Sequence, residues 1–267
     1  FMGPALEFTV DAIVAVTGAE MTPKVDDQLR ETWTSFAVKA GQILSFEILK
    51  SGARAYIAIA GGIDVPMALG SRSTYSLGGL GGHEGRALVV DDELSLGQAG
   101  LGAKSGIHIA PKLRRSPGNP AELRMLPGLY WHRVTDVSGR NFFDDTWQVA
   151  PEADRIGYRF RGGRKLEFVD REQPFGAGSD PSNIVDGCYP YGSVQVPGGT
   201  EPIVLHRDAV SGGGYFMLGT VISADMDLIG QLQPHTATRF IEVTLEGAMK
   251  ARRGRQNLLD ELRASLD

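Results

Sequence analysis

Cysteine is nearly missing from this chain: Cys188 is the only one in 267 residues. A single thiol excludes an intramolecular disulfide framework and a cysteine-based zinc cluster, and it suits a reducing compartment. No apolar run approaches the roughly 18–20 residues that a membrane-spanning helix needs, and no signal-peptide pattern opens the sequence. A soluble, cytoplasmic protein is therefore expected. Positive charge is not in excess either, since the formal net charge is −5, so neither nucleic acid nor an anionic membrane is an expected partner. The five histidines (83, 108, 132, 206 and 235) are scattered, with no pair at metal-ligand spacing.

Two phosphate-binding motifs are approached and missed. From Gly79 the chain reads G-L-G-G-H-E, which places Glu84 where a dinucleotide fingerprint needs its third glycine, and a carboxylate there repels pyrophosphate. In "GQAGLGAKS" Gly97 and Gly102 are spaced as in a P-loop, but Ala103 displaces Lys104-Ser105 by one position, and a strand-like "GIHIAP" follows instead of a helix. "GSRSTYSLG" is not a nucleophile elbow by spacing. Cys188 in "DGCYPYG" reads as a semi-buried small apolar residue.

What the chain has in quantity is glycine, 35 residues, together with 14 prolines and no repeating period. With ample aliphatic residues this means many turns in a β-rich fold. "LEFTVDAIVAVTGA", "QILSFEIL" and "ARAYIAIAGGI" read as strands bounded by turn residues. Alternation of bulky and small residues in "AIVAV" and "YIAIA" suits a curved sheet or barrel. "VPMALGS" fits one helical turn with Pro66 at an early position. Glycine, proline and basic residues from 97 to 120 mark a connection between subdomains. Beyond it, "AELRMLPGLYW", "GSVQVP", "EPIVLHRDA", "YFMLGTVIS" and "TRFIEVTL" read as strands, "DRIGYRFRGGRKLEF" as a hairpin around Gly162-Gly163, and "ADMDLIGQL" as a helix. The tail is helical at its end, with Leu258, Leu259, Leu262 and Leu266 in a stripe, while Gly254 and the basic run 250–255 read as a solvated link. The expected boundaries are 1–110, 111–245 and 246–267.

Two polar, glycine-rich stretches remain as candidates for chemistry. In 70–86, Arg72 and Arg86 are fork-shaped donors for oxygen anions or carbonyls, Ser71, Ser73 and Thr74 add hydroxyls, and Glu84 is a salt-bridge partner for either arginine. In 192–215, Gln195 offers an amide, Asp208 a carboxylate, and Gly212, Gly213 and Gly214, followed by Tyr215, offer backbone N–H groups for an oxyanion. Composition alone also allows both stretches to be ordinary β-turns.

The same stretches carry a resemblance. "GGIDVPMALGSRSTYSLGGLGGHEGR", "EADRIGYRFRGG", "GSVQVPGG", "EPIVLHRDAVSGGGY" and "VISADMDLIGQLQP" occur in that order, and together they resemble the blocks of the allophanate hydrolase subunit 2 family. This family is also called the KipA-type or biotin-dependent carboxyltransferase family, and it includes the C subunit of 5-oxoprolinase. The similarity runs to about Phe240. Where the family commonly has Thr-Thr-Gly-Gly-Tyr this chain has Ser211-Gly212-Gly213-Gly214-Tyr215, and "PSNIVDGCYPYG" leans towards the urea carboxylase form. The family usually has some tens of residues before the point at which this sequence begins with Phe1, so upstream residues are expected.

The resemblance implies a mainly β protein of two cyclophilin-like β-barrel subdomains with a few short helices. It implies a hetero-oligomer with a subunit 1 or KipI-like partner, and a biotin carrier and biotin carboxylase component that delivers carboxybiotin. The implied activity is transfer of CO2 to urea or a related small amide. Arg72, Gln195 and Asp208 are then the expected catalytic residues, with Ser71, Ser73, Thr74, Arg86, Gly213, Gly214 and Tyr215 binding substrate and no metal required. Two alternatives come with the family: a 5-oxoprolinase-type role, with ATP used by the system as a whole, and a regulatory KipA-like role as a binding partner.

Overall fold

The computed structural model describes residues 2–266, which cluster into two compact units. The first comprises the segment up to Ser51 and Ala55–Ile109; the second comprises Gly52–Arg54 and everything from Ala110 onward. Among the described residues no helix is long and apolar enough to cross a membrane.

Seven strands build the first unit: β1 (Leu6–Glu7), β2 (Ala12–Glu20), β3 (Pro23–Val25), β4 (Gln28–Leu29), β5 (Ser35–Val38), β6 (Ile43–Phe46) and β7 (Ser51–Ile59), apart from the Gly52–Arg54 part of β7. They form a four-stranded sheet, β1-β6-β3-β4, and a three-stranded sheet, β5-β2-β7. The period-2 alternation of β2 turns Val14 and Val16 inward. Its register sets Val14 opposite Phe36 on one side and Ile59 on the other. These residues join Phe8, Val25, Val38 and Leu44 in a small core.

The second unit holds β8 (Ala121–Pro127), β9 (Trp147–Val149), β10 (Gly157–Arg161), β11 (Asn183–Cys188), β12 (Ser193–Gln195), β13 (Ile203–Leu205), β14 (Gly212–Tyr215), β15 (Met217–Val221) and β16 (Ala237–Glu242). Seven of these close a barrel in the order β10-β13-β12-β15-β8-β16-β9, while β11 and β14 pair separately. All barrel pairings are antiparallel except β16 with β8. Leu123, Met125, Phe160, Val194, Leu218 and Phe240 fill the interior, as alternating strands of a small barrel require. Helix α1 (Asp136–Asp144), capped by Thr135 accepting from the Ser138 N–H, brings Phe142 onto Trp147 and Phe240. A short α2 (Met226–Ile229) and a long α3 (Leu245–Ala264) complete the unit. Segment Gly52–Arg54 belongs here because Gln231 accepts from the N–H groups of Ala53 and Arg54, while the Arg54 guanidinium donates to the Tyr158 hydroxyl and the Gly230 carbonyl.

The mainly β class with a barrel and few helices agrees with the sequence. The closed barrel lies in the second unit, and the first encloses its core with two sheets. Four local expectations are corrected. "VPMALGS" is not helical: Ala68 and Ser71 exchange both backbone hydrogen bonds (2.8 and 3.0 Å) around Leu69 and Gly70, both at positive φ, a tight hairpin turn of primed type. Gly162-Gly163 does not join a hairpin, because β10 pairs with β9 and β13. The basic run around Gly254 lies inside α3, not in a link. Cys188 is exposed, on β11.

Candidate functional site

The glycine-rich loop of the first unit lines an open cleft of about 720 Å3, within the range of small-molecule sites. Arg72, Ser73, Thr74, Ser76, His83 and Arg86 are on its wall. The glycines serve the loop's own packing: a Cβ at Gly82, at φ +58°, would collide with Thr74 Oγ1. Ser71 lies beside the cleft residues, where its hydroxyl donates to Ser73 Oγ and accepts the Ser73 N–H, both at 3.0 Å.

The two arginines differ in what is left for a ligand. Arg86 donates through Nε and Nη2 to Glu84 (3.0 and 2.7 Å), through Nη1 and Nη2 to Asp92 (2.7 and 2.8 Å), and to the Ala87 carbonyl. Hydrogen bonds from Arg86 and from the Val89 N–H hold the Asp92 carboxyl well below the usual range, and those to Asp92 and Glu84 raise Arg86. His83 Nε2 lies 3.5 Å from Asp92. Glu84 is thus a partner of Arg86, and Asp92 is the stronger one. Arg86 ties the loop together and has little donor capacity to spare. Among the described residues Arg72 makes one ion pair, to Asp64 at 3.1 Å, and its side chain is 47% exposed, which leaves N–H donors for a ligand.

The remaining candidates lie in the second unit. Gln195, buried on β12, hydrogen-bonds Tyr189 through its side chain. The Tyr189 hydroxyl also accepts the Tyr215 N–H (2.9 Å) and donates to the Tyr215 carbonyl (2.6 Å), and Gly213 packs against its ring. Burial raises the Tyr189 hydroxyl above its ordinary pKa. Gln195, Gly213 and Tyr215 therefore meet around Tyr189, while Gly214 faces the Ile184 carbonyl. The glycine triplet is not an anion-binding nest: it is strand β14, paired with β11 through Gly212–Cys188 and Gly213–Gly187, with no positive φ. Asp208 is not a free base. Arg155 grips it at 2.7 and 3.0 Å and lowers its pKa.

Next to Asp208, a smaller cavity of about 190 Å3 is lined by Tyr189, Tyr191, His206, Arg207 and Ser211. His206 packs against the rings of Tyr158 and Tyr191, its Nε2 faces the Met226 carbonyl at 3.4 Å, and its buried Nδ1 has no partner among the described residues. Burial is the main cause of its lowered pKa. Sequence reasoning missed Tyr189, Arg155 and Asp92. "CYPYG" and "VVDDE" showed the residue types, but only the fold sets them beside Tyr215 and Arg86.

Comparison with known proteins places this geometry in a family. The chain matches the carboxyltransferase domain, subdomain A and B, over residues 1–242. It is 35% identical to the C subunit of 5-oxoprolinase from Escherichia coli, across 96% of this chain and 78% of that protein. It is 30% identical to urea amidolyase of Lachancea kluyveri, across 97% of this chain and 15% of that one. Its structure superposes on urea carboxylase of Kluyveromyces lactis with a TM-score of 0.86 at 30% identity, covering 98% of this chain and 24% of that chain.

Proposed function

Since the chain belongs to the carboxyltransferase family of subdomains A and B, we propose that it is the carboxyltransferase component of a biotin-dependent system acting on urea or a related small amide. The relatives are a named subunit and segments of longer chains, in keeping with a component that works with a subunit 1-type partner and a separate biotin carrier. Carboxybiotin brought by that carrier supplies the CO2.

The observation that carries the reading is Arg72, an incompletely paired guanidinium on the wall of a small-molecule-sized cleft, flanked by the hydroxyls of Ser73 and Thr74. Carboxyl transfer leaves negative charge on a ureido oxygen, and a preorganised cationic donor stabilises such charge. Asp64 holds Arg72 from one side and Ser71 orients Ser73, so the donors are positioned before a ligand arrives. Arg86 shapes the wall without addressing the ligand. In the second unit, Gln195 and Tyr189 hold β14 in place, and Asp208 acts through Arg155 rather than as a proton acceptor.

The test is reconstitution with the partner subunit and a carboxylated biotin carrier. Urea-dependent loss of carboxybiotin is expected, and Arg72→Ala should lower kcat/KM about 100-fold while the melting midpoint stays within experimental error. Turnover unaffected by Arg72→Ala refutes the assignment of this cleft.

One observation favours a second reading. The identity to the 5-oxoprolinase component extends over most of that protein, which supports a role in ATP-dependent lactam opening. Turnover of 5-oxoproline with ATP, and none of urea with carboxybiotin, selects it.

A further inference from the structure

Several arginines in this molecule grip a carboxylate: Arg86 holds Asp92, Arg124 holds Asp225, Arg155 holds Asp208 and Arg164 holds Asp145. Arg133 and Arg171 do not. Among the described residues neither has an acidic partner within ion-pair distance, yet both are partly buried, and both reach the same acceptor, the Asn183 carbonyl oxygen, at 3.5 Å. One distant neutral oxygen shared by two cations is a poor counterweight to their repulsion.

The surroundings fix this pair instead of relieving it. Residues 133–134 run antiparallel to 168–169, with Val134 bridged to Phe168 and the Val169 N–H donating to the Arg133 carbonyl. The Arg133 guanidinium lies 4.4 Å above the Tyr130 ring, which is set edge-on to Phe216. Arg171 donates to Gln173 Oε1 at 2.8 Å, and Gln173 in turn donates to the Asp180 carbonyl. The nearby acids are turned elsewhere: Asp180 accepts from the Ser182 hydroxyl and N–H, Asp186 accepts the Gly187 N–H, and Asp170 and Glu172 are exposed. Burial and the charge of Arg171 together hold Arg133 below the usual guanidinium range.

We propose that Arg133 and Arg171 form a binding site for a small oxyanion, a carboxylate or a phosphate group, bridged between the two guanidinium forks beside Asn183. Both groups present several oxygens to fork donors, and charge-assisted bonds to them are the strong class. The assignment rests on the paired guanidinium groups and not on carboxyl transfer, and it is read without turnover.

The experiment is a titration of the whole chain, labelled with 15N-arginine, followed through the Nε–Hε resonances. Acetate forms one arm and inorganic phosphate the other, each against sodium chloride at matched ionic strength. Arg133→Gln and Arg171→Gln assign the two signals, and Arg164 is the internal control. Saturable shifts of the Arg133 and Arg171 signals with a common Kd support the site, and the arm that saturates identifies the oxyanion. Each Gln variant should weaken binding about tenfold, and Arg171→Lys should restore part of it. If a Gln variant is misfolded by its melting midpoint, the Lys variant and the unmodified chain still decide. Shifts no larger than those in chloride, or equal shifts at Arg164, overturn the proposal.

Discussion

The two units hold themselves together by different means. In the second, twenty-one buried apolar residues form one cluster inside and around the barrel, with Trp147, Phe142, Phe160, Phe216 and Phe240 at its centre. In the first, the core cluster has seven buried residues for two sheets among those described, and the long segment after β7 has almost no core of its own. There Leu69, Leu77, Val89, Val90 and Leu101 are exposed, and order comes from tight turns and from the Arg86–Glu84–Asp92 knot. A region held by burial resists local change until the whole core fails. A region held by polar ties and glycine turns can be opened locally, the property expected of a binding loop. The cleft with Arg72 lies in the second kind of region.

Four measurements probe that contrast, beginning with the largest effect. Trp147→Ala removes a fully buried ring packed against Phe142; it should cost about 3–5 kcal/mol in denaturant unfolding. A loss below about 1 kcal/mol breaks the claim that burial dominates this unit.

Acid should act on the same unit through His206. Its pKa is lowered in the fold from the ordinary 6.5, so between the two values the unfolded chain binds the extra proton. Stability therefore falls as pH drops through 6.5, and levels off only at the folded value. The carboxylates lowered in the fold, such as Asp145 and Asp208, add their loss at lower pH. His206→Phe should flatten the fall in the melting midpoint below pH 6.5; an unchanged slope rejects His206 as its source.

Asp92→Asn strips the knot of its principal charge. Faster amide exchange and proteolysis confined to residues near 84–92 are expected, with the global midpoint little changed. A global shift instead would mean that the loop is part of the core's cooperative unit.

Smallest is Gly254→Ala in α3. The added methyl meets no atom within 4 Å, and alanine lowers the cost of helix there, so a gain of about 0.5–1 kcal/mol is expected.

The sequence made some of this legible because the signals are local. β2 and β7 declared themselves by alternation and β-branched content, and α3 by its leucines. Three readings failed for identifiable reasons. At Leu69-Gly70 a primed turn needs positive φ twice, and leucine hides that requirement. At Gly254 a glycine beside a basic run reads as a break, although one glycine costs a twenty-residue helix only about 1 kcal/mol. Gly162-Gly163 gives a hairpin signal, but β10 takes β9 before it and the distant β13 as its partners. In the candidate site, Glu84 is near enough in sequence to suggest a pair with Arg86, but Asp92 is six residues away, Arg155 is 53 from Asp208, and Arg133 and Arg171 belong to no motif.

Barrel closure has a consequence for synthesis. The seam is the parallel pairing of β8 with β16, which sets Ala121 beside Thr238 and Met125 beside Glu242. The first barrel strand to leave the ribosome must therefore wait for the last, and until residue 242 emerges β8 and β9 each keep an open edge. Such edges recruit other chains, and long-range pairings of this kind form slowly. A nascent chain stalled before β16 therefore keeps both of these edges open and stays exposed to aggregation.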